Sequence, residues 1–206
     1  MQSKHFKLLE SFGLKNGSFI AYTHHLERIS RSADFFQFKI DLDHIHTQLE
    51  SIRQKHPKGM WKISLLSDPD GHIELEIDSI APLPTPIQVQ IAHKPIQRKN
   101  TFLYHKTTER HVYQQIKKDH PHVFDVLLWN EANEITEFTI GNVVFELNDT
   151  LYTPSVQSGL LAGTYRQQLI DEGVLQVKTI YQNDITPHTP CWLINSVREW
   201  VPVIFA

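Results

Sequence analysis

The sequence is poor in cysteine, in unbalanced charge and in long apolar runs, and each shortage excludes a class of protein. One cysteine, Cys191, in 206 residues excludes an internal disulfide and a zinc site of the usual Cys/His spacing. The 20 basic and 23 acidic side chains leave no basic surplus for nucleic acid or an anionic membrane. No stretch approaches the roughly 18 apolar residues of a membrane span, and residues 1–5 lack the apolar run of a signal peptide. We therefore expect a cytoplasmic protein with no nucleic-acid or membrane partner.

The chain has 13 histidines, and the close pairs among them raise the question of a metal site. Histidines one or two positions apart on a helix point in different directions, so the pairs His24-His25 and His44…His46 cannot share an ion. The pair His120…His122 falls in a predicted loop without a neighbouring pair of carboxylates. We therefore expect no metal.

A proline-rich run divides the sequence. The chain is 40% hydrophobic, which is ample for a globular core. Between Ala81 and Pro86 three of six residues are proline, which removes backbone donors and favours an extended, semi-rigid connection. We place a domain boundary there, with a small α+β domain at residues 1–81 and a larger strand-rich α/β domain at residues 87–206.

Secondary structure is predicted from hydrophobic periodicity and turn signals. In the first domain we expect strands at 6–14, 19–22, 60–66 and 72–77, with helices after Thr23 and Asp41. In the second we expect strands at 87–92, 124–129, 134–139, 142–147, 174–181, 191–194 and 200–205. Two helices are expected there, one that opens at Thr107-Thr108 and one that ends at Gly173.

Lys106 lies where an apolar, strand-like run meets the start of a helix. Apolar neighbours make the charged form of a lysine costly, so its pKa can fall towards neutrality and its amine can act as a nucleophile or base. Taken alone, the pattern also fits a solvated surface lysine.

Two further features supply complementary chemistry. Glu137 falls in a strand, where a partly buried carboxylate needs a positive or proton-donating partner. The loop from Gly159 to Arg166 contains two glycines and opens a helix, whose N-terminus offers N–H groups and a positive dipole end to a phosphate. A lysine, an acid and a phosphate cradle are the three contacts that pyridoxal phosphate (PLP) requires.

The chain resembles the class IV (fold type IV) PLP-dependent enzymes over nearly its whole length. This family includes branched-chain aminotransferases, D-amino-acid aminotransferases and 4-amino-4-deoxychorismate lyase. The matching motifs, in order, are Phe6-Lys7-Leu8-Leu9-Glu10, His25-Leu26-Glu27-Arg28, Ser32-Ala33, His105-Lys106-Thr107-Thr108-Glu109-Arg110, Ile135-Thr136-Glu137 with Asn142, Leu151-Tyr152-Thr153-Pro154, Gly159 to Arg166, and Asn195-Ser196-Val197-Arg198. The His-Lys-Thr-Thr-x-Arg and Gly-Thr-Tyr-Arg motifs are most similar to the lyase branch, in the form fused to aminodeoxychorismate synthase.

The resemblance implies a role for each matching position. It implies a two-domain class IV aminotransferase-like fold with the PLP cleft between the domains. Lys106 matches the Schiff-base lysine, Glu137 the acid that pairs with the pyridine nitrogen, and Arg28 the arginine that clamps the phosphate. The other matches are Thr139 and Ile140 for one phosphate turn, Gly163, Thr164 and Tyr165 for the second, Arg110 beside the phenolic oxygen, and Asn195, Ser196 and Arg198 lining the pocket.

The resemblance also implies a reaction and partners. We expect conversion of 4-amino-4-deoxychorismate to 4-aminobenzoate and pyruvate, a step of folate biosynthesis, in a homodimer that associates with aminodeoxychorismate synthase components. A class IV transaminase acting on branched-chain or D-amino acids is one alternative, since it would use the same lysine, arginine and acid. The other is a non-catalytic PLP-binding partner protein, because family members usually carry a longer segment ahead of Phe6.

Overall fold

The computed structural model describes residues 6–206, so the expectation made from residues 1–5 lies outside it. Helices and strands alternate in the mixed α+β arrangement that the sequence predicted, and this fold class is confirmed. The chain forms two compact units. The first comprises the residues up to Pro82 together with His105–Glu109, and the second comprises Leu83–Tyr104 and Arg110–Ala206. Among the described helices, none has the length and apolar character needed to cross a membrane.

The first unit is a four-stranded antiparallel sheet with two helices. Its elements are β1 (Leu8–Lys15), β2 (Ser18–Phe19), α1 (Tyr22–Phe36), α2 (Leu42–Lys55), β3 (Met60–Ser67) and β4 (Ile73–Ser79), and the strand order is β2-β1-β3-β4. The helix α2 follows Asp41, as expected, and Asp41 caps it because its carboxylate accepts the His44 N–H at 2.8 Å. The strand expected to reach Tyr22 ends at Phe19 instead. Ala21 adopts a left-handed φ of 52° there and is the residue before α1, two positions earlier than the expected Thr23.

The core of the first unit lies where the sheet meets the two helices. Side chains at alternate positions of β1 and β3 point inward and meet the apolar faces of α1 and α2. Full burial of each large aliphatic or aromatic side chain contributes about 1.5–3 kcal/mol. The central members are Leu8, Phe12, Leu14, Ile29, Ala33, Ile45, Leu49, Ile63 and Leu65.

The segment His105–Glu109 groups with the first unit, whereas the sequence analysis placed it in the domain at 87–206. The reason is a set of backbone hydrogen bonds to β1 and the residue before it. Leu9 N–H donates to the Lys106 carbonyl at 2.9 Å, Thr108 N–H donates to Lys7 at 2.9 Å, and Leu8 and Thr107 form an antiparallel bridge. The segment therefore extends the edge of β1 on the side that pairs with β2.

The helix expected at Thr107-Thr108 and the strand expected before Lys106 both differ in the structure. Residues Thr101–Leu103 form a 3-10 turn because the Asn100 side chain accepts the Phe102 N–H at 3.0 Å. Thr107 is held extended by its bridge to Leu8, and its hydroxyl accepts the Glu109 N–H at 3.2 Å. The helix therefore begins only at His111.

The second unit is an eight-stranded sheet with two helices. Its elements are β5 (Ile87–Ile91), α3 (His111–Asp119), β6 (Asp125–Trp129), β7 (Ile135–Phe138), β8 (Asn142–Leu147), β9 (Thr150–Pro154), α4 (Thr164–Asp171), β10 (Gln176–Lys178), β11 (Cys191–Asn195) and β12 (Glu199–Phe205). The strand order is β10-β9-β8-β11-β12-β5-β6-β7, and a further pairing of β7 with β8 closes six strands into a ring. Its apolar core includes Leu127, Phe138, Val143, Phe145, Leu193 and Val203.

Two strand predictions in this unit were wrong. The strand expected at 174–181 is reduced to Gln176–Lys178, whose side chains are exposed and which pairs only with β9. The sequence analysis did not predict β9 at Thr150–Pro154. Pro154 is tolerated because it ends the strand.

Candidate active site

Lys106 projects from a backbone that is fixed on both sides. Its own carbonyl accepts the Leu9 N–H at 2.9 Å, and the next residue, Thr107, is buried and bridged to Leu8. The charge of Lys106 contributes to lowering the pKa of His25, which places the ammonium in the electrostatic neighbourhood of that buried ring. The backbone of the predicted reactive lysine is thus held against β1 of the first unit.

A buried polar cluster of the first unit, the Glu10 cluster, consists of Glu10, His25 and Arg28. The Arg28 guanidinium donates to both carboxylate oxygens of Glu10, from Nε at 2.8 Å and from Nη2 at 2.7 Å. His25 Nδ1 lies 2.6 Å from the same carboxylate, and the His25 ring packs on Phe12 at 4.4 Å between centroids. Glu10 is 1% exposed and Arg28 5% exposed, so the pair is held away from water. Arg28 is therefore a buried, oriented cation.

The charges of the Glu10 cluster are set by burial and by contact. Burial alone would raise the pKa of the Glu10 carboxyl, but the charge of Arg28, then that of His25, and the hydrogen bonds from both hold this pKa well below its usual range. Burial lowers the pKa of His25, and Glu10 only partly offsets this. At neutral pH the cluster is therefore an ion pair beside a neutral imidazole.

A second contact fastens the Lys106 segment to α1. His105 Nδ1 lies 3.0 Å from the Ser32 hydroxyl, and the His105 ring stacks on Phe35 at 4.4 Å. Burial, followed by the charge of Arg31, lowers the pKa of His105. This histidine links the lysine segment to the same helix that carries Arg28.

Glu137 lies in the second unit and is 4% exposed. The Tyr113 hydroxyl donates to its Oε1 at 2.8 Å, and the Asn142 amide donates to its Oε2 at 3.3 Å. Burial, followed by the charge of Glu137, raises the pKa of Tyr113 well above its usual value, so the phenol keeps its proton and remains a donor. Burial lowers the pKa of the Arg166 guanidinium to about 10, against the opposing charge of Glu137. The predicted acid is a buried carboxylate with both oxygens oriented.

Arg110 lies beside the same tyrosine. Its guanidinium carbon lies 4.6 Å from the centre of the Tyr113 ring, and its Nη2 donates to the Thr139 carbonyl at 2.6 Å. Arg110, Tyr113 and Glu137 are therefore brought together in the second unit.

The turn at Thr139 and Ile140 is organised by a buried acid that sequence reasoning missed. Asp125 is fully buried, accepts a hydrogen bond from the Thr139 hydroxyl, and accepts the Ile140 N–H at 3.3 Å. The resemblance implied that the amides of this turn face a phosphate, but the Ile140 amide faces a carboxylate here. The Asn195 side chain donates to the Ile140 carbonyl at 3.3 Å and accepts the N–H groups of Val197 and Arg198. The 195–198 turn is thus attached to the 139–140 turn.

The glycine loop leads into α4 as predicted. Gly163 is the residue before the helix and supplies no side-chain acceptor to the first N–H groups, and Thr164 and Tyr165 begin the helix. A Cβ atom built on Gly163 would overlap the Asn142 side-chain oxygen. Arg166 attaches the start of the helix to the end of β9 by donating to the Pro154 carbonyl at 2.8 Å. A helix start of this kind, with close backbone approach, fits an anionic group.

The structure also shows residues that the sequence did not assign. Tyr113 has the helical spacing of a core residue, and only its hydroxyl contact with Glu137 reveals a polar role. Glu10 and Asn142 were part of matching motifs but had no role. Asp125 precedes the apolar run of β6 and gave no signal beyond being an acid at a strand start. Within residues 6–206, no cluster of three or more His, Cys, Asp or Glu side chains is arranged to bind a metal.

Comparison with known proteins identifies the family. The family model described as amino-transferase class IV matches residues 7–204. A Schizosaccharomyces pombe protein named "Putative aminodeoxychorismate lyase" is 28% identical over 198 residues, which is 90% of this chain and 84% of that protein. A Mesorhizobium loti structure titled "Putative amino-acid aminotransferase" is 27% identical, has a TM-score of 0.88, and is matched over 98% of this chain and 100% of its own. A Mycobacterium tuberculosis structure titled "A hypothetical aminotransferase", in its PLP-bound form, shares the fold with a TM-score of 0.81 at 16% identity, over 97% of this chain and 81% of its own.

These matches confirm the resemblance drawn from the sequence motifs, because the family model extends over almost the whole chain. The chain belongs to the amino-transferase class IV family.

Proposed function

We propose that this chain is a PLP-dependent lyase that converts 4-amino-4-deoxychorismate to 4-aminobenzoate and pyruvate. The observation that carries the choice of reaction is the similarity to the Schizosaccharomyces pombe protein over 90% of the chain. The His-Lys-Thr-Thr-x-Arg and Gly-Thr-Tyr-Arg motifs point in the same direction.

The residues fit the cofactor by the chemistry of their donors. Lys106 supplies a primary amine for the cofactor aldehyde, and Glu137 supplies an oriented carboxylate for the ring nitrogen. Arg28 and the helix start at Gly163, Thr164 and Tyr165 supply a guanidinium and N–H groups for the phosphate. The cleft between two domains in which these groups would meet is implied by the family resemblance and remains a prediction.

When bound, PLP supplies an electron sink next to the substrate carbon that bears the amine. Lys106 Nζ takes the proton from that carbon, and the electron pair of the broken C–H bond forms a new double bond in the substrate ring. The ether C–O bond breaks and the enolpyruvyl group departs with its electron pair, so the ring becomes aromatic. Return of the proton from Lys106 Nζ to the methylene carbon of the departing enol gives pyruvate. Throughout these steps, Glu137 holds the proton on the pyridine nitrogen of the cofactor.

The direct test of the cofactor assignment is reduction of the purified, PLP-saturated protein with borohydride, followed by peptide mapping. We expect the label on Lys106. A label on another lysine, or no label, would contradict the assignment.

A transaminase is the second candidate, supported by the match to the full length of the Mesorhizobium loti structure. The two reactions differ in their need for a keto acid. With 4-amino-4-deoxychorismate alone, the lyase produces 4-aminobenzoate and pyruvate in equal amounts over many turnovers. Product that stops at one equivalent per site and resumes on addition of 2-oxoglutarate or pyruvate would establish the transaminase.

The assembly and location are also proposals. We infer from the family resemblance a cytoplasmic homodimer that works with aminodeoxychorismate synthase components. Light scattering of the purified chain tests the dimer, and co-purification with the synthase components tests the association.

A further inference from the structure

Asn142 is the first residue of β8 and is 4% exposed. Its side-chain nitrogen has two acceptors, Glu137 Oε2 at 3.3 Å and the Leu161 carbonyl at 2.9 Å. A primary amide carries two N–H donors, so both are used. One side chain thus touches the predicted acid and the loop that leads to the predicted phosphate site.

The opposite end of this amide is enclosed by Gly163. A Cβ atom placed on Gly163 would overlap Asn142 Oδ1 and lie 3.1 Å from its Cγ. The overlap with Oδ1 is closer than real Cβ atoms come to a neighbouring atom, so any larger residue at 163 must displace the amide. Because the amide is planar and rigid, displacement of its oxygen also moves its nitrogen away from Glu137.

We propose that Asn142 is a positioning residue that fixes the Glu137 carboxylate and the Leu161–Gly163 turn relative to one another. This inference rests on the proposed function, which gives the carboxylate the cofactor ring nitrogen and the turn the cofactor phosphate. Asn142 acts through its contacts with the Glu137 carboxylate and the Leu161 carbonyl. It fixes the positions of Glu137 and the Leu161–Gly163 turn relative to one another, so a substitution at Gly163 also displaces the Glu137 carboxylate.

Tyr113 explains why Asn142 is needed as well. The Tyr113 hydroxyl reaches only Oε1 of Glu137, so this bond alone leaves the carboxylate able to turn about it. The Asn142 bond to Oε2 adds the second point that fixes the carboxylate plane. Both donors are buried, and their contacts lie entirely within the second unit.

The test is a double-mutant cycle in the full chain with Gly163→Ala and Asn142→Ala, made singly and together. Gly163→Ala alone should lower the melting temperature, because the methyl group collides with the Asn142 side chain. In the Asn142→Ala background that oxygen is gone, so the same methyl group should cost little. The proposal requires the two losses to be strongly non-additive, both with and without added PLP.

A functional measurement extends the cycle to the acid. Gly163→Ala should weaken PLP binding by about tenfold or more and should shift the pH at which the absorption of the bound cofactor changes, because the Asn142 donor is displaced from Glu137. In the Asn142→Ala background, adding Gly163→Ala should produce no further shift in that pH. A purely structural role for Asn142 would leave the pH unmoved in all variants.

Gly173→Ala is the matched control. Gly173 has a φ of 73°, so alanine is strained there, but a Cβ atom would meet nothing within 4 Å. Its cost should be the same in the wild-type and Asn142→Ala backgrounds.

The outcomes separate this inference from the proposed function. If the wild-type chain does not bind PLP, the proposed function fails, while the melting-temperature cycle still tests Asn142. If the wild-type chain binds PLP and the losses are additive, the inference is overturned. If Gly163→Ala alone does not fold, recovery of folded protein on adding Asn142→Ala supports the inference, and failure of the double variant to fold, when Asn142→Ala alone does fold, overturns it. If Asn142→Ala alone does not fold, the smaller, polar Asn142→Ser takes its place in the same cycle.

Discussion

The two units each bury a carboxylate, and the two carboxylates are held in different ways. Glu10 in the first unit meets a guanidinium through both of its oxygens, so its negative charge is cancelled inside the fold. Glu137 in the second unit accepts hydrogen bonds from a phenol and an amide, which are neutral donors that orient its carboxylate. The first arrangement fixes an arginine, whereas the second fixes the plane of the carboxylate itself. Burial alone therefore does not distinguish a supporting acid from a reacting one.

The largest expected effect comes from breaking the charge pair of the first unit. Arg28→Met leaves Glu10 buried without its guanidinium, and removal of one partner of a buried ion pair costs about 3–5 kcal/mol. Urea unfolding of the full chain measures this loss. Arg53→Met, which breaks the solvent-facing pair between Arg53 and Glu50, is the control and should leave stability nearly unchanged. Similar losses for the two variants would show that the Glu10 cluster is no more important than a surface pair.

Neutralising the acid of the second unit should affect activity rather than folding. Glu137→Gln keeps the shape of the side chain but cannot hold a proton on a ring nitrogen, so we expect turnover to fall on the order of a hundredfold with PLP still bound. Steady-state assays with 4-amino-4-deoxychorismate and the absorption of the bound cofactor measure the two quantities. Turnover close to that of the wild type would assign Glu137 a structural role like that of Glu10.

A smaller effect is expected from removing one neutral donor. Tyr113→Phe deletes the hydroxyl that donates to Glu137 Oε1, and a hydrogen bond to a charged group contributes about 1.5–3 kcal/mol. We expect turnover about tenfold lower, or somewhat more, with most of the change in kcat. Tyr104→Phe, whose hydroxyl instead donates to the Arg98 carbonyl, is the matched control. Equal losses in the two variants would argue against a special role for the Glu137 contact.

The smallest effect is a pH dependence of stability to which the buried His25 of the first unit contributes. Burial lowers the pKa of His25 below its usual 6.5, so the unfolded chain binds more protons than the folded chain just below that pH, and stability falls as the pH drops. One proton changes stability by at most about 1.4 kcal/mol per pH unit. The contribution of Glu10, whose pKa is depressed, is present above its usual 4.5 and is lost only below it.

Replacement of this histidine isolates its contribution. His25→Asn should flatten the dependence of unfolding free energy on pH between about pH 7 and pH 5. The exposed His44→Asn controls for the loss of a histidine as such. An unchanged slope in His25→Asn would mean that the ring titrates alike in both states.

The sequence predicted the local elements well because periodicity and turn chemistry are local. The turn between β1 and β2, the Asp41 cap and the strands from Asp125 to Leu147 all follow from short stretches. Pairings distant in sequence could not be read in this way. The bridge between Leu8 and Thr107 determines the backbone conformation at Lys106. No sequence pattern near either residue predicts this bridge.

The same contrast between local patterns and contacts distant in sequence applies to the candidate site. Lys106, Arg28 and Glu137 were predicted from the family resemblance, whereas what holds them in place depends on folded geometry. Glu10 looks like one more acid in a strand until its two oxygens meet Arg28 across 18 positions of sequence. The Asn142 amide likewise acquires meaning only when Leu161 and Gly163 are folded against it.

The hydrogen bonds of His105–Glu109 to the start of β1 make the first unit discontinuous in sequence. A polypeptide that stops at Pro82 would lack the segment that covers the N–H of Leu9, and would also lack Lys106. Exchange of the first unit between relatives as one uninterrupted stretch would therefore separate the lysine from the strand that holds it. Chimeras should keep their function only when residues 105–109 come from the same parent as β1.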